Sequence, residues 1–152
     1  MIKEENYILN NGIKIPKVGY GTWQITNKEE LINGVTWALK NGYTHIDTAT
    51  VYRNEQYIKE ALKLNNVKRE NLFITSKLPA NKKGYEITYS EFNESLKRLG
   101  LDYLDLYLIH APRPWDDKSG FDFMPQNIAS YKAMEELYRS GSIRAIGVSN
   151  AT

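Results

Sequence analysis

The chain has 152 residues, 41% hydrophobic and 25% charged, with a formal net charge of +2. That is enough length and apolar content for one packed domain, while a near-neutral balance without a Lys/Arg run argues against a nucleic-acid surface. There is no cysteine, which excludes disulfides, thiolate catalysis and Cys-based zinc sites and fits a reducing compartment.

Met1 to Asn6 contains no apolar stretch of signal-peptide length. The longest apolar run, around Leu104 to Ile109, is broken by Asp105 and is far too short to span a membrane. These features predict a soluble, cytoplasmic protein with no membrane or nucleic-acid partner, forming a single unit over residues 1–152.

Residues 7–15 predict a β-hairpin, with Asn11-Gly12 supplying the positive φ angles of a tight turn and Pro16 ending it. From residue 18 onward short strands alternate with helices. The strands are predicted at 18–23, 44–49, 72–77, 104–110 and 145–149. Thr26 and Glu29 form a capping box for a first helix with Leu31, Val35 and Leu39 on its apolar stripe, stopped by Gly42. A second helix follows Asn54 and buries Ile58, Ala61 and Leu62. A third carries Phe92, Leu96 and Leu99 and stops at Gly100. A fourth carries Ile128, Tyr131, Met134 and Tyr138 and stops at Gly141.

Strand–helix alternation means parallel pairing with right-handed crossovers, either in an open doubly wound sheet or in a (β/α) barrel. Gly19-Tyr20-Gly21-Thr22-Trp23 lacks the third glycine of a dinucleotide-binding turn. A barrel carries its reactive groups at strand C-termini, and that is where Asp47, Lys77 and His110 stand. The fold class expected is α/β of the (β/α)8 TIM-barrel type, limited here to about five β/α strands after an N-terminal hairpin. The loop from Pro112 to Gln126, with Trp115, Phe121 and Phe123, is either a pocket wall or a surface loop folded on its own aromatics.

Taken singly, Asp47 and Lys77 also fit a structural ion pair, and Tyr52 is one of 11 tyrosines. His110 shares strand parity with Leu104, Leu106 and Leu108, whereas His45, two residues deeper than Asp47, is expected to be packed and satisfied. Two histidines and no cysteine make a transition-metal site improbable. Together, Asp47, Tyr52, Lys77 and His110 make a coherent set. An ammonium beside a phenol favours the phenolate, a carboxylate holds the ammonium, and an imidazole can donate to a carbonyl oxygen. That set suits protonation of a developing alkoxide and requires an external hydride donor such as a nicotinamide. No G-x-S-x-G, P-loop or paired rim carboxylates offer a competing chemistry; Asp105, the nearest second carboxylate, has the wrong strand parity.

At this point the sequence resembles the aldo-keto reductase family over essentially its whole length. The resemblance is carried by Gly42-Tyr43-Thr44-His45-Ile46-Asp47-Thr48-Ala49 with Tyr52, Asn54 and Glu55, by Leu99 through His110, by Lys77, and by Ile143 through Asn150. It implies a barrel binding NADPH or NADH without a Rossmann domain, and a small carbonyl substrate reduced to an alcohol. Tyr52 is then the proton donor, Lys77 its activator, Asp47 the partner of Lys77, and His110 the residue orienting the carbonyl. Gly21, Thr22 and Asp47 would lie near the nicotinamide, Ser149 and Asn150 on its carboxamide, and Trp23, His110 and Trp115 in the substrate pocket. Pro79, Ala111 and Ala151 stand where many members carry Trp, Trp and Phe. The sixth to eighth strands of the family fold, with the residues that hold the rest of the dinucleotide, are not in this sequence. The length is expected to reflect a truncated or split reading frame, and open strand edges are expected to favour self-association or a complementing chain. Three functions remain open at this level: a reductase, a non-catalytic remnant, and a binding module.

Overall fold

A computed structural model describes residues 5–151; the predicted single unit also includes Met1–Glu4 and Thr152, which lie outside the described residues. The hairpin pairs β1 (Asn6–Ile8) with β2 (Lys14–Pro16) in antiparallel register. Its connection differs from the prediction. Gly12 alone takes a positive φ, +83°, while its N–H donates to the Leu9 carbonyl. This is a three-residue loop, with a turn through Asn10-Asn11 followed by a left-handed glycine. The tip reaches the far end of the fold, where Asn11 Nδ2 donates to the Arg144 carbonyl at 2.9 Å.

The alternating units follow as predicted, with four of the five strands shorter and the one predicted at 72–77 shifted by one residue. They are β3 (Tyr20–Gly21), α1 (Lys28–Lys40), β4 (His45–Asp47), α2 (Glu55–Asn65), β5 (Phe73–Leu78), α3 (Tyr85–Leu99), β6 (Leu106–Ile109), α4 (Met124–Arg139) and β7 (Ile146–Val148). The five strands β3 to β7 form one parallel sheet in chain order. This is the strand–helix progression of a TIM-type barrel, carried through five strands. Within the described residues β3 and β7 are each paired on one side only.

Register decides which side chains share a face, because parallel partners point the same way. Gly21 pairs with Asp47, Asp47 with Thr75, and Lys77 with Leu108, which pairs in turn with Gly147. These residues, with His45 and His110, form the face that a closed barrel turns inward. The opposite face carries Ile46, Ile74, Leu78, Tyr107 and Ile109, all buried under the helices. The resulting core takes in Leu31 and Val35 from α1, Ile58 and Ala61 from α2, Phe92 and Leu99 from α3, and Met134 and Leu137 from α4. Phe92 meets Tyr107 edge-on, with ring centroids 5.3 Å apart.

Two helix details correct the sequence-based expectations. Asn27, not Thr26, caps α1: its side-chain oxygen accepts from the N–H groups of Glu29 and Glu30 at 2.9 and 3.0 Å. The buried side of α4 is Ser130, Ala133, Met134 and Leu137, whereas Ile128 and Tyr138 of the predicted stripe are exposed. Ser130 and Ala133 on that side leave room for α3, whose N-terminal Gly84 donates to Ser130 Oγ. Ile128, Met124 and Val148 are left open beside the unpaired edge of β7. At the opposite edge Trp37 is exposed beside Tyr20. Among the described residues no helix is long and apolar enough to cross a membrane.

Candidate active site

Asp47, Lys77 and His110 stand at the C-terminal ends of β4, β5 and β6, and the chain leaving β4 brings Tyr52 back over them. The return is short. A 3-10 turn over Thr50–Tyr52 is followed by Arg53 in the left-handed region, φ +57°. Asn54, fully buried, fixes the turn to its neighbour: its Nδ2 donates to the carbonyls of Thr22 and Ile25 at 2.8 and 3.0 Å, and its Oδ1 accepts from Thr48 at 3.2 Å. Arg98 of α3 donates to Thr50 Oγ1 at 3.3 Å and to Glu55 at 2.7 Å. Glu55, with no exposed surface, also accepts from Ser76 and Ser95. A buried carboxylate with three donors is satisfied, and it ties α2, α3 and β5 together behind the turn that carries Tyr52.

Lys77 lies at the centre. Its ammonium donates to Asp47 Oδ1 at 2.5 Å, to the Thr48 carbonyl at 3.0 Å and to Tyr52 Oη at 3.5 Å. Three N–H donors thus meet three oxygens. The Lys77 side chain is 7% exposed and that of Asp47 35%, so the pair is enclosed on the lysine side and open on the acid side. His110 packs edge-on against the Tyr52 ring at 5.7 Å and against Trp115 at 4.9 Å between centroids. Burial, with Lys77 nearby, pushes the His110 pKa down to about 4. It is therefore a neutral imidazole at pH 7, and its Nδ1 is buried without a hydrogen-bond partner. His45 is the packed histidine expected: its Nε2 is 2.9 Å from Thr75 Oγ1, and burial lowers its pKa as well.

The four predicted reactive residues therefore converge. The residues predicted around them are more mixed. Gly21 faces open space, with no heavy atom within 4 Å of where a Cβ would stand, which suits a flat ring lying against the sheet. Thr22 is fully buried, and both its N–H and its hydroxyl donate to the Asp47 carbonyl, so it supports Asp47 from behind rather than facing the open site. Ser149 and Asn150 follow β7 on the same rim. Asn150, at φ +53°, already donates to the His110 carbonyl at 2.8 Å and to Ser149 Oγ at 3.1 Å. Trp23 and Trp115 stand at the rim, 67% and 62% exposed. Asp105, set aside on parity, is a buried structural carboxylate on the outer face, held by Arg69 and Arg144 at 2.6 and 2.7 Å.

Sequence reasoning missed Lys83, which is buried and donates to the Ala111 carbonyl and to Asn127 Oδ1, each at 2.8 Å. Nothing in the polar run Asn81-Lys82-Lys83-Gly84 marks one lysine as enclosed.

The sequence model of the aldo/keto reductase family matches residues 17–152. The chain belongs to the aldo/keto reductase family. Among curated relatives, it is 46% identical over 142 residues to a glyoxal reductase of Bacillus subtilis, covering 93% of this chain and 48% of the relative. Among solved structures, an aldo/keto reductase from Brucella melitensis superposes with a TM-score of 0.86 at 41% identity, over 97% of this chain and 54% of that one. A Bombyx mori aldo-keto reductase solved in complex with NADP superposes with a TM-score of 0.81 at 38% identity, over 95% and 50%. The chain spans about half the length of the curated relatives it matches.

Proposed function

We propose that this chain carries the proton-donating site of a cytoplasmic NAD(P)H-dependent carbonyl reductase, which converts small aldehydes or ketones to alcohols. The observation that carries the reading is the three-way contact of Lys77 with Asp47, Thr48 and Tyr52, adjoining a neutral His110. The nicotinamide, NADPH or NADH, supplies a hydride to the carbonyl carbon when bound. Gly21, with open space over it, together with Ser149 and Asn150 fits that end of the cofactor. Neutral His110 donates an N–H to the carbonyl oxygen and fixes its direction without adding a charge. Tyr52 transfers its phenolic proton to the same oxygen as negative charge develops there. Lys77, donating to Tyr52 Oη, stabilises the phenolate left behind, and Asp47 keeps the ammonium in place. Trp23 and Trp115 flank the mouth through which the substrate enters.

Support for a cofactor comes from the Bombyx mori relative in complex with NADP. The glyoxal reductase relative supports small reactive aldehydes as the substrate class. The test is titration of the purified chain with NADPH, following the fluorescence of Trp23, Trp37 and Trp115, then adding glyoxal and monitoring nicotinamide oxidation. Saturable quenching followed by glyoxal-dependent oxidation is expected; a folded chain that neither binds NADPH nor oxidises it would leave the non-catalytic remnant as the better reading.

A second reading concerns assembly. Within the described residues β3 and β7 each have one unpaired edge, with Trp37 exposed beside the first and Met124, Ile128 and Val148 beside the second, which favours self-association or a complementing chain that covers these edges. Sedimentation velocity distinguishes this from a concentration-independent monomer, which would oppose it.

A further inference from the structure

Where β6 ends, its backbone leaves the sheet. The His110 N–H still donates to the Leu78 carbonyl, and the Ile109 carbonyl still accepts from Ser149. Beyond that point the carbonyls have no ladder partner and must find another. Side chains supply it at three successive positions. Asn150 donates to the His110 carbonyl at 2.8 Å, Lys83 to the Ala111 carbonyl at 2.8 Å, and Asn127 to the Pro112 carbonyl at 2.8 Å. Lys83 and Asn127 are themselves joined at 2.8 Å. The Lys83 backbone is anchored next door, since the Gly84 N–H donates to Ser130 Oγ on α4 at 2.8 Å.

Lys83 is an odd choice on stability grounds. It is 8% exposed, and among the described residues no ion pair includes it. The charged residues next to it in the chain and next to the Pro112 tie pair elsewhere: Lys82 with Glu91, and Arg113 with Asp117. Burial without a counter-charge pushes its pKa down to about 8. An enclosed ammonium held by neutral oxygens alone is costly, whereas its charge-assisted bonds are directional and strong.

We propose that Lys83 is a positioning residue for the reductase site: by tying the Ala111 carbonyl to Asn127, it sets where His110 and the overlying Trp115 stand. This rests on the reading of His110 as the residue that orients the carbonyl. Through Trp115 it also sets the shape of the pocket mouth, and therefore which carbonyl substrates fit.

The chain has two histidines and three tryptophans, so imidazole and indole NMR signals report the site residue by residue without cofactor or turnover. In Lys83→Met the stem is kept and the donors are lost. The expected result is a rise of the His110 titration midpoint by about one pH unit or more as water enters, with a displaced Trp115 indole signal. His45 and Trp37, remote from the clamp, should keep their wild-type signals. Asn127→Ala, which removes the Pro112 tie and one Lys83 acceptor, should give the same pattern. His110 and Trp115 unchanged in a folded Lys83→Met chain would overturn the proposal. So would equal movement at His45 and Trp37, or loss of fold in both variants, since either would make the clamp merely structural. Because no nicotinamide is involved, failure here is distinguishable from failure of the reductase reading.

Discussion

Removing either member of the Lys77–Asp47 pair should destabilise the chain, and the two removals should not be equal. Breaking a buried ion pair by deleting one partner costs roughly 3–5 kcal/mol, because the other charge is left enclosed. The Lys77 side chain is 7% exposed and that of Asp47 35%. Asp47→Ala therefore strands a cation that water barely reaches, and should lie in the range of about 3–5 kcal/mol. Lys77→Met strands a carboxylate that water partly reaches, and should cost about 2–3 kcal/mol. At about 2–4 °C per kcal/mol for a chain of this size, the two variants should melt about 6–20 °C and 4–12 °C below wild type. Urea unfolding of wild type, both single variants and the double variant closes the cycle. The double variant should be less destabilised than the sum of the singles by about 1–3 kcal/mol. Additivity within about 0.5 kcal/mol would mean that the two groups do not interact, and the assignment of Asp47 as the partner that holds Lys77 would have to be abandoned.

Other perturbations test other parts of the fold. Folded His110 titrates near 4 against an ordinary 6.5, so between those values the unfolded chain binds a proton that the folded chain does not. Stability should be full above pH 6.5 and fall as pH drops toward 4, with a slope approaching about 1.4 kcal/mol per pH unit; His45 adds to it with the same sign. His110→Gln should flatten part of that slope, and an unchanged urea midpoint between pH 7 and 5 in wild type would count against the buried neutral imidazole. A Cβ added at Gly19 would stand 2.7 Å from His45 Nδ1. Because His45 is held by Thr75, Gly19→Ala should cost about 1–3 kcal/mol by urea unfolding, and wild-type stability in that variant would show that the ring yields freely. Asn27→Ala should lose about 1 kcal/mol through the cap of α1, whereas Thr26→Ala should be nearly silent in the same measurement; the reverse order would restore the capping box predicted from the sequence.

Much of the architecture was legible because each level of the sequence pointed the same way. Five β-prone runs separated by helical periods leave few topologies, and Gly42, Gly100 and Gly141 mark where helices stop. Lys77 and Asp47 could be paired in advance because each is a charge at the end of an apolar strand, and strand parity put His110 on their side. What escaped the sequence depends on packing. Thr26 and Asn27 are both good caps with a glutamate three residues on, and only the actual start of α1 decides between them. The buried line of α4 runs through Ser130 and Ala133, which leave room for α3, so a search for large apolar residues selected Ile128 and Tyr138 instead. The two bonds from Thr22 to the Asp47 carbonyl also depend on packing and leave no mark in the sequence. Lys83 gave no signal, because enclosure of a charged loop residue follows from where three carbonyls are left after β6 ends.

The most direct measurement of the central claim is glyoxal-dependent NADPH oxidation by wild type and by Tyr52→Phe, compared at equal cofactor occupancy. Loss of a positioned proton donor should lower the rate by about 10²–10⁴ while NADPH binding is retained. Equal rates in the two proteins would show that the hydroxyl held by Lys77 does not supply the proton.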